Sequence, residues 1–338
     1  MDVSLHILKA EAQGEGAEFP PFLANHLPMI LVALEHLGAP PDRVVAFSRI
    51  YRMNNGLVPC PEVTVSLTAE SWMSALGVRE QEGALRAFFT QEVARLGSAA
   101  AIQTYLPCLA PGIAGSAFHP LMRLSYAVME QDEPEIGVAL GYWAAAFLIL
   151  DKDTATEGVT DDPVNMLVRA AALPGLAEAE PESDLVWHHM RAAARMPGFA
   201  GVADWLIMRE DMLDRMAAGA LALYAETMSF EALHALTGCH WLRQLCPLAP
   251  DMAPLLRHFW VGIAALMPKM GFPAMPSAER LAAWRSVATP GWDAIKQAAI
   301  ASDDEHDISL CFSAFVEWQR TGDALYQVVA AKRMGLIG

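Results

Sequence analysis

The sequence is short of positive charge. Lys and Arg number 23 against 39 Asp and Glu, a formal net charge of −16 over 338 residues. Such a surface repels nucleic acid and anionic membranes, which excludes both as general partners. Long apolar runs are also missing. The most apolar stretch, 136–150, falls short of the roughly 20 residues a membrane span requires. The opening MDVSLHILKAEAQGEG lacks a basic start followed by an apolar segment, so no signal peptide is expected. The expected location is cytoplasmic. The five cysteines (Cys60, Cys108, Cys239, Cys246, Cys311) are odd in number, widely spaced and never in CxxC. That argues against a disulfide framework or a zinc ribbon and for reduced, buried thiols. GxGxxG, GxxxxGK[ST] and GxSxG do not occur. A nucleotide cradle, NADPH included, and the esterase nucleophile turn are therefore unsupported.

Hydrophobic residues make up 54% of the chain and charged residues 18%, a balance that demands a large core. Ala, Leu, Met and Arg are abundant and favour helix. Only 62–67 (EVTVSL) reads as a strand. In 25–37, Asn25 suits the N-cap, Pro28 the first turn and Gly38 the stop. Further helices are predicted over 42–54, 71–96 (one or two), 118–131, 134–150, 184–196, 201–226, 229–246, 251–267, 277–288, 290–300 and 303–332. The charge-free run 97–122, with Pro107, Pro111 and Pro120, reads as a loop, and residues 1–18 as a mobile lead-in. The expected fold is all-α, a large helical bundle-like domain over 19–335. A division into two helical sub-bundles would fall within 151–184.

Ten histidines are the informative residues. His26, His119, His234, His240 and His306 lie in apolar surroundings at helix starts or breaks. One such histidine is ordinarily a hydrogen-bonded core residue. Five together raise a metal reading, because imidazole is the commonest transition-metal ligand. His234 and His240, six apart, would face about 120° apart on an ideal helix. A break at Thr237-Gly238 would bring them to one side; alternatively Gly238 only permits a close helix crossing. His6, His36, His188, His189 and His258 read as structural or surface residues.

The run Asp303-Asp304-Glu305-His306-Asp307 admits a second reading. It matches the DDxxD pattern that holds magnesium and a diphosphate in class I terpene synthases. However, it stands near the C-terminus and lacks the partner motif. Acidic residues in a first helical turn are also expected opposite the helix dipole. Among buried aromatics, Trp241 beside His240 is the first candidate wall for a planar substrate, with Tyr126.

Four segments, NHLPMILVALEHLGAPPDRVVAFSRIY, LPCLAPGIAGSAFHPLMRLSYAVME, HALTGCHWLR and DDEHDISL, together resemble the questin oxidase-like family. The resemblance implies an all-helical oxygenase that uses dioxygen on an aromatic polyketide-like or phenolic small molecule. It further implies a mononuclear non-haem centre, Fe(II) or another transition metal. Carried over by residue, His26, His119, His234 and His240 are the metal ligands. His306 stands in the matching DDEH motif, as a ligand or just outside the ligand set. Apart from that carry-over, His306, Asp304 and Glu305 are the catalytic candidates, and Trp241, Tyr126 and Arg123 the substrate-binding candidates. Asp304, Glu305 and Glu130 are candidates for holding the ligand imidazoles. Two departures stand out. Ser309 replaces a family lysine, and Arg123 stands where relatives carry a second histidine. A catalytically lapsed family member is therefore a further reading. The oligomeric state is not legible.

Overall fold

The computed structural model describes residues 3–152 and 158–338. The helices run in chain order as α1 (Val3–Gln13), α2 (Leu27–Leu37), α3 (Pro41–Asn54), α4 (Glu82–Leu96), α5 (Ser98–Leu109), α6 (His119–Glu130), α7 (Glu133–Ala145) and α8 (Pro163–Ala171). They continue as α9 (Val186–Ala194), α10 (Met212–Thr227), α11 (Phe230–Leu245), α12 (Ala253–Ala265), α13 (Ala278–Arg285), α14 (Trp292–Ala301), α15 (Glu305–Thr321) and α16 (Ala324–Arg333). Two two-residue strands, β1 (Glu18–Phe19) and β2 (Leu23–Ala24), pair antiparallel. The fold is all-α. No helix among the described residues is long and apolar enough to cross a membrane.

Several starts and stops follow local chemistry. Asn25 Oδ1 accepts the Leu27 N–H at 3.1 Å, and Gly38 closes α2 in the left-handed conformation (φ 87°). Only a residue without a Cβ adopts that angle freely. The expected final helix is two helices. Gly322 (φ 70°) ends α15, and Asp323 accepts the Leu325 N–H at 2.9 Å to begin α16.

Three expectations are corrected. The 62–67 segment forms no strand. The 97–122 run is not a loop, since α5 and the start of α6 occupy much of it. Its prolines mislead because two sit in first helical turns: Pro111 in the 3-10 turn Ala110–Gly112 and Pro120 in α6. A missing N–H costs nothing there. Finally, α1 forms inside the expected lead-in.

The chain divides into two compact units, and the division does not fall within 151–184, of which 153–157 lie outside the described residues. Unit 1 comprises Met1–Cys60, Leu221–Met228 and Pro276–Gly338; unit 2 comprises Pro61–Ala220 and Ser229–Met275. Each is therefore built from distant parts of the sequence.

In unit 1, α2 is buried along nearly its whole length. The His36 ring rests on Phe312 of α15 at 5.4 Å. Arg43 of α3 donates to the Ile300 and Ser302 carbonyls, each at 2.6 Å, tying the end of α14.

In unit 2, α4 and α7 cross in backbone contact. A Cβ on Gly137 would lie 2.6 Å from Thr90 Cα, and one on Gly141 2.7 Å from Arg86 Cα. Gly238 of α11 faces the Phe259 ring of α12, where a Cβ would come to 2.4 Å. Helix α11 runs unbroken through Thr237-Gly238, with Thr237 Oγ1 bonded to Leu233 O at 3.0 Å. The break that would have aligned His234 and His240 is thus absent. The glycine serves a close crossing, and the two imidazoles leave the helix about 120° apart.

Candidate metal-binding histidines

In unit 1, His26 is the N-cap residue of α2 and is 6% exposed. Its Nδ1 lies 2.9 Å from the Ala24 carbonyl. A carbonyl oxygen only accepts, so Nδ1 carries the hydrogen and Nε2 carries the lone pair. Its backbone N–H donates to the Tyr51 hydroxyl at 3.0 Å. Burial, with the Glu305 carboxylate nearby, raises the Tyr51 pKa well above its ordinary value, so the phenol stays neutral. Glu305 Oε1 is 3.9 Å from His26 Nδ1. The His306 ring stands edge-on to His26 with centroids 4.9 Å apart.

His306 lies in the first turn of α15. Asp304 caps that helix by accepting the His306 N–H at 2.8 Å, and its Oδ1 also sits 3.2 Å from His306 Nδ1. The hydrogen bond to His306 lowers the Asp304 pKa to about 2. Three carboxylates of the acidic run meet cations or hydroxyls of their own unit. Asp303 takes Arg43 Nη2 at 2.9 Å, and Asp304 takes Arg333 Nη2 at 3.1 Å. Asp307 takes Arg333 Nε at 2.5 Å and Ser302 Oγ at 2.8 Å. Asp304, Glu305 and His306 each place one donor atom within 4.8 Å of the others. With arginines already on three of its carboxylates, the run acts as a clamp on the start of α15. It is poorly prepared to take a magnesium diphosphate.

This clamp has a pH signature. The folded-state pKa of Asp304 is depressed from the usual 3.8 to about 2. Its contribution to stability is therefore complete above about pH 4 and is lost as pH falls through the folded value. Asp304→Asn is expected to flatten the acid limb of a urea-unfolding series between pH 4 and pH 2. An acid limb identical to wild type would remove this carboxylate from the account.

In unit 2, the turn before His119 is strained. Ser116, Ala117 and Phe118 all have positive φ (47°, 54° and 70°) and all are buried. Non-glycine residues take this conformation singly and at a cost of roughly 1–2 kcal/mol each. Three in succession require compensation from their surroundings. Here Phe118 packs on Phe259 with centroids 4.9 Å apart, against the bare Gly262. The turn aims the Ser116 carbonyl at His119 Nδ1, and the two are hydrogen-bonded. His234, one turn into α11, repeats the pattern, with Nδ1 2.8 Å from Phe230 O. Met228, just before the α11 N-cap Ser229, is another positive-φ residue (47°). The His119 and His234 rings stand edge-on with centroids 5.5 Å apart.

Ser125 Oγ of α6 reaches Trp241 O of α11 at 2.7 Å. The His119–His234 and Ser125–Trp241 contacts follow the same order along both helices, so α6 and α11 run parallel. Tyr126 lies seven residues after His119, and Trp241 seven after His234. Each is therefore within about 20° of its histidine around the helix. Both are 2% exposed. His240 is fully buried on another side of α11.

Arg123, also buried, donates Nε to Glu135 Oε1 of α7 at 2.5 Å. Burial works against its charge, and Glu135 more than offsets this. Glu130 lies at the end of α6. The histidines set aside as structural have ordinary partners. His258 Nδ1 is 2.9 Å from Asp151, His189 Nε2 3.1 Å from Asp184, and His188 Nδ1 2.8 Å from Ser183 Oγ.

The sequence reading missed the strained 116–118 turn, because nothing in Ser-Ala-Phe announces positive φ. It also missed the half-buried Arg333, which pairs with Asp304 and Asp307, and the buried Tyr224 beside them, both in unit 1. No spacing signal links positions a hundred residues apart.

The curated proteins include no match to this chain. The model of the questin oxidase-like family matches residues 23–312, which takes in the strained turn and His26, His119, His234, His240 and His306. The chain belongs to the questin oxidase-like family.

Proposed function

We propose that the protein is a metal-dependent oxygenase, an oxidoreductase that uses dioxygen on an aromatic polyketide-like or phenolic substrate. One observation carries this reading. His26, His119 and His234 are buried, and each has Nδ1 tied to a backbone carbonyl two, three or four residues upstream. That hydrogen bond fixes the tautomer, orients the ring and raises the basicity of Nε2, as the outer partners of metal-bound histidines do. The donor set therefore suits a transition metal with Fe(II)-like ligand preference.

In this proposal His26, His119 and His234 are ligands through Nε2. His240 is included on the strength of the family resemblance. When bound, the ion supplies activation of dioxygen. The chain supplies the rest. Asp304 holds His306 with its Nδ1 hydrogen directed at a carboxylate, so His306 can take or give a proton at Nε2. Glu305 adds negative charge beside both rings of unit 1. Tyr126 and Trp241 provide flat apolar surface along the same helix faces as His119 and His234, which favours a planar aromatic and excludes water. Arg123 contributes a guanidinium one turn after His119.

Elemental analysis tests the reading. Protein from iron-supplemented medium is expected to hold close to one equivalent of a transition metal. Less than about a tenth of an equivalent, with no uptake of Fe(II) on anaerobic addition, would contradict it. The magnesium-lyase reading predicts instead that farnesyl diphosphate and Mg²⁺ release pyrophosphate, and the arginine-held carboxylates speak against that outcome.

A further inference from the structure

Helix α15 carries a polar stripe on a buried face. Its buried side chains include Ile308, Leu310, Cys311, Phe312 and Ala314, yet Ser309, Ser313 and Glu317 are only 3%, 0% and 1% exposed. At 100° per residue these three lie about 60° before, 20° before and 20° after the direction of His306. The four polar side chains thus form one line about 16 Å long, from the first turn of α15 to its last.

Other buried helical hydroxyls have partners, and two of them bond back to the carbonyl four residues earlier. Ser125 reaches Leu121 O at 2.9 Å, and Thr237 reaches Leu233 O at 3.0 Å. The hydroxyls of Ser309 and Ser313 have no hydrogen-bond partner among the described residues. Leaving a buried hydroxyl unpaired is unfavourable. Two on one line, continued by a buried carboxyl, point to a polar occupant. Side chains four apart on a helix are about 5–6 Å apart at Cβ, a gap that one bridging water closes. The far end reaches solvent: Glu317 Oε2 accepts from Arg320 at 3.2 Å, and the Arg320 side chain is 36% exposed.

We propose that this stripe holds a file of water molecules and conducts protons between the Glu317 end of α15 and the His306 end. Each hydroxyl or water accepts one proton and releases another. The net change is one proton entering at Glu317 and one leaving beside His306, with no change of oxidation state. The use of those protons in dioxygen chemistry rests on the oxygenase reading. The file itself does not require bound metal.

Neutron diffraction from crystals of the full chain soaked in D₂O tests it. The expected result is ordered waters bridging Ser309 Oγ, Ser313 Oγ and the Glu317 carboxyl, with both hydroxyls deuterated. Ser313→Val should interrupt the file, leaving no ordered water between residue 313 and the Glu317 carboxyl. A dry stripe, with both hydroxyls turned onto carbonyls of their own helix and still protonated, would overturn the proposal in the wild type alone. Absence of iron with a wet file would sink the oxygenase reading while leaving the file intact.

Discussion

His119→Ala and His234→Ala are each expected to abolish the proposed metal binding, while His258→Ala preserves it. The argument rests on ring chemistry. Changing only an outer partner of a metal-bound histidine costs about 10–100-fold in affinity. Removing the imidazole should cost more, so the dissociation constant is expected to rise by more than about 100-fold. His258 is a matched control, since it lies in the same unit and its Nδ1 faces Asp151 at 2.9 Å. His26→Ala should behave as His119→Ala does. His240→Ala separates the two sources of the ligand set, because the family resemblance includes His240 although it leaves α11 on a different side from His234. Competition titration with a chromophoric chelator reads the affinities, and circular dichroism confirms that each variant is folded. Equal metal content in wild type and a folded His119→Ala would contradict the ligand assignment.

Gly115→Ala is expected to be among the most destabilising single substitutions in the chain. An added Cβ would lie 2.1 Å from the Ala146 carbonyl oxygen and 2.8 Å from its carbon. The obstacle is backbone, so no side-chain rotation relieves it. Overpacking ordinarily costs 1–3 kcal/mol and occasionally more. Here the displaced residue also adjoins the strained 116–118 turn, so about 3 kcal/mol or more is expected. In a chain of this size that lowers the melting temperature by roughly 4 °C or more. Gly56→Ala is the control, since an added Cβ there meets nothing within 4 Å. Because the 116–118 turn directs His119, a surviving Gly115→Ala protein should also bind metal more weakly. A melting temperature within a degree of wild type would show that the Gly115 backbone yields more easily than its packing implies.

Much of the fold was legible because helix ends are written locally. Gly38 closes α2 as its chemistry requires, while the expected N-cap Asn25 falls one residue before the actual N-cap, His26, and still accepts the Leu27 N–H. The same local logic failed at 97–122, where proline was counted as a breaker although first-turn proline is compatible with helix. The division into units was illegible for another reason. A polar, Thr-rich stretch marks a surface loop, whereas unit membership depends on packing between segments as distant as α2 and α15. The histidines could be selected by type and surroundings. Their pairing, His26 with His306 and His119 with His234, required the fold. The hydrogen bonds to the Ala24, Ser116 and Phe230 carbonyls were equally out of reach, since those carbonyls carry no sequence signal. Sequence resemblance supplied the metal expectation, and the tautomer argument gives it a physical basis in this chain.

X-ray absorption at the iron edge of the anaerobically loaded protein tests the central claim most directly. The account predicts first-shell nitrogen with the outer-shell scattering of several imidazoles, reduced by about one ring in His234→Gln. A first shell of oxygen alone, with no imidazole scattering and no change in that variant, would contradict it.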